Sequence, residues 1–398
     1  MQNWSGVVPT GFLDAKILRV PDAIIRPPGE GDMQGLRQVC GVFHQDGSPV
    51  DMARTVSSSG DLSLPATLSG PPLRRREGAW VFGGMLFHHF GHALIYSMSR
   101  IWAVRRLLDD GVPLRGVVFF QRFAPEPQAS PALPRNLLPI FDIFPPGLPI
   151  VTIADVEQID ELYVPEQGIS TAPELFIGRP EQRHFYRNSA ARVPPNAERR
   201  DVYISRTKTG WKGNHLFEAE IQRAMAEAGY LIFHPQTVSL QEQIATYRSA
   251  RRIVAVDGSA LHVAAMAVPA DAKVAVISRR EFYAWAIADQ IRAFADCEVQ
   301  VIEAHADAYV FSRQLGRRAS WSTTQVLTDF AKLGHELVQH GFLDRPPEWQ
   351  LPTEADLGQR LADAKAKFGD DLVRIPDDIR RREPHYGAHR GPLLQPSL

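Results

Sequence analysis

The sequence predicts an α/β fold in two halves, the second built on a parallel, doubly wound sheet. Three observations predict it. From Val202 onward, five short apolar runs alternate with four amphipathic stretches, the pattern of βαβ units. Proline pairs at Pro27-Pro28, Pro71-Pro72, Pro145-Pro146, Pro194-Pro195 and Pro346-Pro347 fall between the runs, where helices and central strands must break. A length of 398 residues also exceeds the roughly 250–300 that one hydrophobic core supports.

Taken in order, residues 1–75 read as an N-terminal β-rich elaboration of short strands and turns, such as Val39–Phe43 followed by Asp46-Gly47. Residues 76–195 read as an N-terminal α/β lobe. It holds a strand at Trp80-Val81-Phe82 and a long helix from about His89 to Leu108, with Phe90, Leu94, Met98, Ile101 and Trp102 at helical spacing. Buried strands follow at Val117–Phe120 and Ile150–Ile153. The Pro194-Pro195 segment marks the boundary. Residues 196–310 then read as a Rossmann-like lobe, with strands at 202–204, 231–233, 253–256, 274–277 and 299–302 and helices at 215–228, 239–249, 259–267 and 281–295. Residues 311–375 read as a helical return, with a helix at about 322–341, and 376–398 as a loose tail.

Charge and cysteine content exclude several classes. Lys plus Arg total 44 against 45 for Asp plus Glu, so no cationic excess points to nucleic acid. The two cysteines, Cys40 and Cys297, suit a reduced, cytoplasmic protein and leave no disulfide framework or cysteine-rich metal site. The N-terminus lacks the basic-then-apolar run of a secretory signal. Residues 78–99 carry no Asp, Glu, Lys or Arg, but His88, His89, His92 and four glycines make them a buried strand and helix rather than a bilayer span.

Ligands of an open α/β sheet bind beyond the carboxyl ends of its strands, which selects three loops. Ser205–Asn214 combines Arg206, Lys208 and Lys212 with glycine and hydroxyl residues ahead of a helix, a setting for phosphate or else a solvated basic turn. Asp257–His262, which includes Ala260, offers Gly258 for close backbone approach and Ser259 as cap of the next helix. Asp257 is open to binding a sugar hydroxyl, acting as a base, or orienting the loop. In His234–Ser239, Ser239 and Glu242 have capping-box spacing, and Pro235 stiffens an edge suited to bordering a nucleotide base. Glu218, in the first turn after the basic loop, suits either sugar hydroxyls or the helix N-terminus itself. In the first half, His88 and His92 are four apart; no nearby Glu or Cys completes a metal site, whereas a histidine facing a cleft suits a general base. No Gly-x-Gly-x-x-Gly, P-loop, Gly-x-Ser-x-Gly or Asp-x-Asp pattern occurs.

The ordered set of blocks resembles the family 61 glycosyltransferases, whose bacterial members are often described as capsular polysaccharide biosynthesis proteins. The first block is Gly83–Leu94 running on to Ser99-Arg100-Ile101-Trp102. The second comprises Tyr203-Ile204-Ser205-Arg206, Glu218, Ala228-Gly229-Tyr230, His234-Pro235, Ser239–Ile244, Ala250–Val254 and Gly258–His262. The resemblance covers about residues 80–280. It implies a two-lobed GT-B architecture and inverting transfer of a hexosyl or pentosyl group from a nucleotide sugar, with no essential metal and no cofactor. It implies a donor against Arg206, Glu218, Gln243 and the 257–262 loop, and an acceptor facing His89–His92. Asp257 stands where relatives usually carry His or Glu, and Ala93 and Tyr96 where they tend to have Phe and Glu, so roles specific to those side chains do not carry over.

The resulting expectation is that His92 or His89 takes the acceptor proton while Arg206, Lys212 and the helix start at Ser259 stabilise the leaving diphosphate. The acceptor would be a glycan or a lipid-linked glycan, the latter drawing the chain to the inner membrane surface. The alternative is a non-catalytic nucleotide-sugar or glycan-binding protein of the same fold.

Overall fold

The computed structural model describes residues 16–29, 31–34, 37–58, 60–64, 66–68, 70–121, 135, 137–315 and 323–376. The tail expected beyond Pro376 lies outside the described residues. The chain divides into two units between Val193 and Pro194.

The first unit is built on a six-stranded mixed sheet. Its strands are β1 (Ile17–Arg26), β2 (Gly41–Phe43), β3 (Arg74–Leu86), β4 (Leu114–Gln121), β5 (Ile150–Ile153) and β6 (Glu157–Pro165). Their order is β5-β4-β3-β6-β1-β2. The four strands from β5 to β6 run parallel, and β1 and β2 add antiparallel at one side. Residues 17–26 and 41–43 therefore extend the main sheet instead of forming a separate elaboration. The run Val117–Phe120 is wholly buried, as a central parallel strand covered on both faces must be.

The helix expected from His89 to Leu108 is broken. A short turn at Phe90–His92 passes into a π-helical stretch at Ala93–Ser97, and a regular helix, α1, resumes only at Trp102–Asp109. Serine chemistry accounts for the interruption. Ser99 Oγ donates to the Tyr96 carbonyl at 2.7 Å and competes with the helical ladder there, while Ser97 Oγ accepts from the Phe87 amide, ahead of the helix, at 2.9 Å. Because helical geometry starts at Phe90, His88 lies before the helix and does not share a helical face with His92. Just beyond, Arg100 is fully buried and donates to the carbonyls of Pro165, Met52 and Arg54, tying three segments together. Burial lowers its pKa to about 10, so it stays cationic at neutral pH. Helices α2 (Leu138–Ile143) and α3 (Pro180–Ala191) complete the unit.

The second unit contains β7 (Arg200–Ile204), β8 (Asn214–His215), α4 (Glu218–Glu227), β9 (Leu231–Phe233), α5 (Leu240–Arg248), β10 (Ala250–Val256), α6 (Ala260–Ala267), β11 (Lys273–Ile277), α7 (Glu281–Ala295) and β12 (Glu298–Ile302). It continues with β13 (His305–Phe311), β14 (Gln325–Thr328), α8 (Phe330–Gln339), α9 (Glu354–Phe368) and β15 (Leu372–Arg374). Five strands form an all-parallel sheet in the order β9-β7-β10-β11-β12. Ile253–Val256 at its centre is buried throughout, and Ser239 caps α5 by accepting from the Glu242 amide at 3.1 Å.

A second sheet, β8-β14-β13-β15, was not expected. The stretch 322–341 is strand and helix, not one helix. Gln325–Thr328 pairs with β13, and Asp329 then caps α8 through the Lys332 amide at 2.9 Å. Val326 and Leu327 alternate across this strand, and Phe330, Leu333 and Leu337 supply the helical face. Among the described residues, no helix is long and apolar enough to cross a membrane.

Candidate functional site

The parallel sheet reverses direction of winding between β7 and β10. The chain leaves β7 toward β9 on one side and returns to β10 on the other. That switch point opens a crevice at the strand ends, the usual ligand position in this topology. The residues that follow these two strands are Ser205-Arg206 and Asp257-Gly258.

Arg206 crosses this gap. A Cβ placed on Gly258 would lie 2.4 Å from Arg206 Nη1, so only glycine lets the guanidinium rest against the 257–258 backbone. Arg206 Nη2 donates to the Gly213 carbonyl at 3.0 Å and more weakly to the Lys212 carbonyl at 3.4 Å. Its Nε is buried and makes no hydrogen bond. Burial lowers the Arg206 pKa, with Asp257 opposing that shift.

Glu218 fixes the base of the same loop. Its Oε1 accepts from the Arg206 amide at 2.6 Å and the Tyr203 hydroxyl at 3.1 Å, and its Oε2 accepts from the Asn214 amide group. Burial raises its pKa, opposed by these donors. The carboxylate thus braces the loop from beneath, a role distinct from the sugar binding and the helix N-terminus considered from sequence. Lys212 contributes its backbone, while its side chain is exposed.

Asp257 is wholly buried and is the hub of a cationic cluster. Its Oδ2 accepts the amides of Arg279 at 2.6 Å and Arg280 at 2.8 Å. Its Oδ1 accepts Arg280 Nε at 3.0 Å and Nη2 at 2.8 Å, with Arg279 Nη2 at 3.4 Å. Burial pushes the Asp257 carboxyl up, but Arg280, Arg279 and the amides together outweigh it and hold the pKa well below the usual carboxylate range. Arg279, buried and repelled by Arg280 and Arg206, is lowered to about 9. Three guanidiniums therefore gather around one carboxylate, and the surplus positive charge suits an anion.

Sequence reasoning missed Arg279 and Arg280. The signal was present, because Ser278-Arg279-Arg280 directly follows β11 and precedes α7. The rule that selected the other loops applies equally to this one.

The remaining expected residues fall in different places. His234 follows β9, with its pKa lowered by burial and by the charge of Lys208. Gln243 donates to the Pro235 carbonyl at 2.9 Å and so pins that turn. Ser259 does not cap α6 with its side chain. Its φ of −63° and ψ of −21° are already helical, whereas a capping side chain needs an extended residue to reach the next amides. Ala260 opens the helix. His262 is buried between α6 and α7, with Nδ1 on Gln290 Oε1 at 2.6 Å and Nε2 on the Tyr283 hydroxyl at 2.8 Å. His89 and His92 belong to the first unit. Their rings lie 4.9 Å apart, and His92 also packs edge-on to Phe87 at 5.9 Å and Tyr96 at 5.5 Å. Among the described residues, no three His, Cys, Asp or Glu side chains are grouped to hold a metal.

Two buried histidines give the second unit a predicted pH dependence. Burial lowers His262 from 6.5 to about 4 and His215, on β8, from 6.5 to about 3. Between the unfolded and folded values the unfolded chain binds more protons, so stability is lost as pH falls through that window. Lowering pH from 7 to 5 should cost about 2 kcal/mol per histidine. Glu218, with its raised value, acts in the opposite sense. Urea unfolding at several pH values checks this: His262→Gln should flatten the slope, and an unchanged slope would remove His262 from the account.

The family model described as Glycosyltransferase 61 matches residues 90–277. The family match takes in part of the cluster: Arg206 and Asp257 fall within it, and Arg279 and Arg280 lie just beyond its end. No curated protein matches the chain significantly. Among solved structures, the chain is similar to a dodecameric iron-containing heptosyltransferase TibC in complex with ADP-D-beta-D-heptose, at 12% identity over 70% of this chain and 80% of that one, with a TM-score of 0.26. It is also similar to the bacterial iron-containing dodecameric glycosyltransferase TibC from enterotoxigenic E. coli, at 13% identity over 66% and 74%, with a TM-score of 0.23. Superposition that poor carries no argument about fold or chemistry. The family match covers just under half of the chain, and residues 90–277, which contain Arg206, Glu218 and Asp257, are similar to the glycosyltransferase 61 model.

Proposed function

We propose that this chain transfers a sugar from a nucleotide-sugar donor to a glycan or lipid-linked acceptor, with inversion and without an essential divalent metal. The observation that carries the reading is the convergence of Arg206, Arg279 and Arg280 on the switch point of a parallel sheet. A nucleoside diphosphate leaving group gains negative charge as the glycosidic bond breaks. Guanidiniums already fixed by Asp257, Gly213 and the Gly258 backbone stabilise that charge without reorganising. The turn at His234-Pro235, pinned by Gln243, borders the nucleoside on the adjoining strand end.

His92 or His89 takes the proton of the attacking acceptor hydroxyl, since an imidazole titrates near neutrality. Asp257 is assigned a different task from the base considered from sequence. A proton on Oδ2 would displace the two amides and one on Oδ1 the two guanidiniums, so we assign it to holding the arginines in place instead. In this reading the two units are the lobes of a GT-B enzyme of surface polysaccharide synthesis. It works in the cytoplasm, or at the inner membrane when the acceptor is lipid-linked.

A thermal-shift screen of UDP-, GDP-, ADP- and CMP-sugars tests the donor. A true donor at about 100 times its dissociation constant adds roughly 2.7 kcal/mol of stability. No stabilisation by any of them would refute the reading, and binding with no transfer to any acceptor would leave the non-catalytic alternative.

A further inference from the structure

We propose that Tyr283 is a positioning residue for Arg280, its ring serving as the platform that aims the guanidinium at a donor phosphate. The inference rests on the donor-site reading and extends it to a residue that touches no substrate. Arg280 Cζ lies 3.7 Å from the centroid of the Tyr283 ring, well inside the range of a cation–π contact. Asp257 holds the Nε and Nη2 edge of the same guanidinium. Asp257 thus fixes one edge of the guanidinium and Tyr283 one face.

The platform is itself anchored. The Tyr283 hydroxyl meets His262 Nε2 at 2.8 Å, and His262 Nδ1 meets Gln290 Oε1 at 2.6 Å. The Gln290 carbonyl oxygen can only accept, so His262 carries its proton on Nδ1 and presents the Nε2 lone pair to the phenol. Burial keeps that imidazole neutral at physiological pH, with a pKa of about 4. A phenol that donates its proton in a hydrogen bond has a more electron-rich ring, which strengthens its hold on the cation above. His262, expected at the donor, therefore acts two residues removed from it, through Tyr283 and Arg280.

The test is titration calorimetry of the full chain with UDP, GDP, ADP and inorganic pyrophosphate, with uridine, guanosine and adenosine as uncharged controls. Tyr283→Phe keeps the ring and should bind the phosphates within about threefold of the wild type. Tyr283→Leu should lose about tenfold. The nucleosides should bind all three proteins alike, because a merely structural defect would weaken both sets. A second arm avoids any change of volume: phenylalanines carrying one, two and three ring fluorines at position 283 drain the π face stepwise. Phosphate affinity should fall with each fluorine while the melting temperature stays level. A flat fluorine series, or equal losses for nucleosides and phosphates, overturns the platform while leaving the donor site standing. A wild-type protein that binds none of the phosphates overturns the donor reading and the platform with it.

Discussion

Arg206→Ala is expected to lower turnover by a hundredfold or more while leaving the fold in place. Arg206 is the cation that bridges the two loops of the switch point, lying on Gly258 and donating to Gly213. Removing one preorganised electrostatic contact to developing charge costs about 10²–10³ in rate. The loss should appear in turnover as well as in donor affinity, because the leaving diphosphate carries more charge in the transition state than in the bound donor. Little stability should be lost, since Arg206 Nε is unbonded and its Nη2 donates only to loop carbonyls. Arg206→Lys separates charge from geometry. A lysine restores a cation but not the planar fork that spans Gly213 and the crevice, so it should recover only part of the activity. The measurement is steady-state kinetics with the donor found by screening, alongside thermal melts. An Arg206→Ala enzyme with normal turnover and donor affinity would take Arg206 out of the mechanism.

Much of this site was legible before any coordinates, for a physical reason. In a parallel sheet each strand is a continuous apolar run and each connection is a helix, so the runs at 202–204, 231–233, 253–256, 274–277 and 299–302 announce themselves. Strand ends then locate the loops, and Arg206 and Gly258 fall where strand order reverses. The rest depended on pairing across the chain. The strand Gln325–Thr328 has only four residues, and nothing local marks it as a partner of His305–Phe311. Long β1 and β6 carry Pro21 and Asp22, and Asp160 and Glu161, among their apolar residues, so neither reads as a continuous apolar run. Ser259 illustrates a limit of residue type: its side chain can cap a helix, but its backbone had already entered one. Arg279 and Arg280 were visible as letters. Their importance came from Asp257, whose ionisation depends on burial, and burial of a single carboxylate is not written in sequence.

The same dependence makes Asp257 the most consequential position for folding. Its carboxylate is 0% exposed and compensates Arg279, itself 4% exposed, together with Arg280. Breaking a buried ion pair by removing one partner typically costs about 3–5 kcal/mol, because the charge left behind is neither solvated nor paired. Asp257→Ala is therefore expected to destabilise the chain by about that amount, a large share of the ~5–15 kcal/mol that holds a typical domain folded. Asp257→Asn is the discriminating variant. It keeps the size of the side chain and one carbonyl acceptor, but removes the charge and turns part of the group into a donor facing two amides and two guanidiniums. If Asp257 organises the arginines, the Asp257→Asn change should cost both stability and donor affinity. If Asp257 were instead the catalytic base, the asparagine protein would melt and bind donor as the wild type does and would fail only in turnover. Urea unfolding and donor titration of this one variant separate the two roles. Placing the charge on the arginine side of the pair is not equivalent: Arg280→Gln removes a donor to phosphate and a partner of Asp257 at once, so its effects on binding and stability are expected to fall together and cannot assign either.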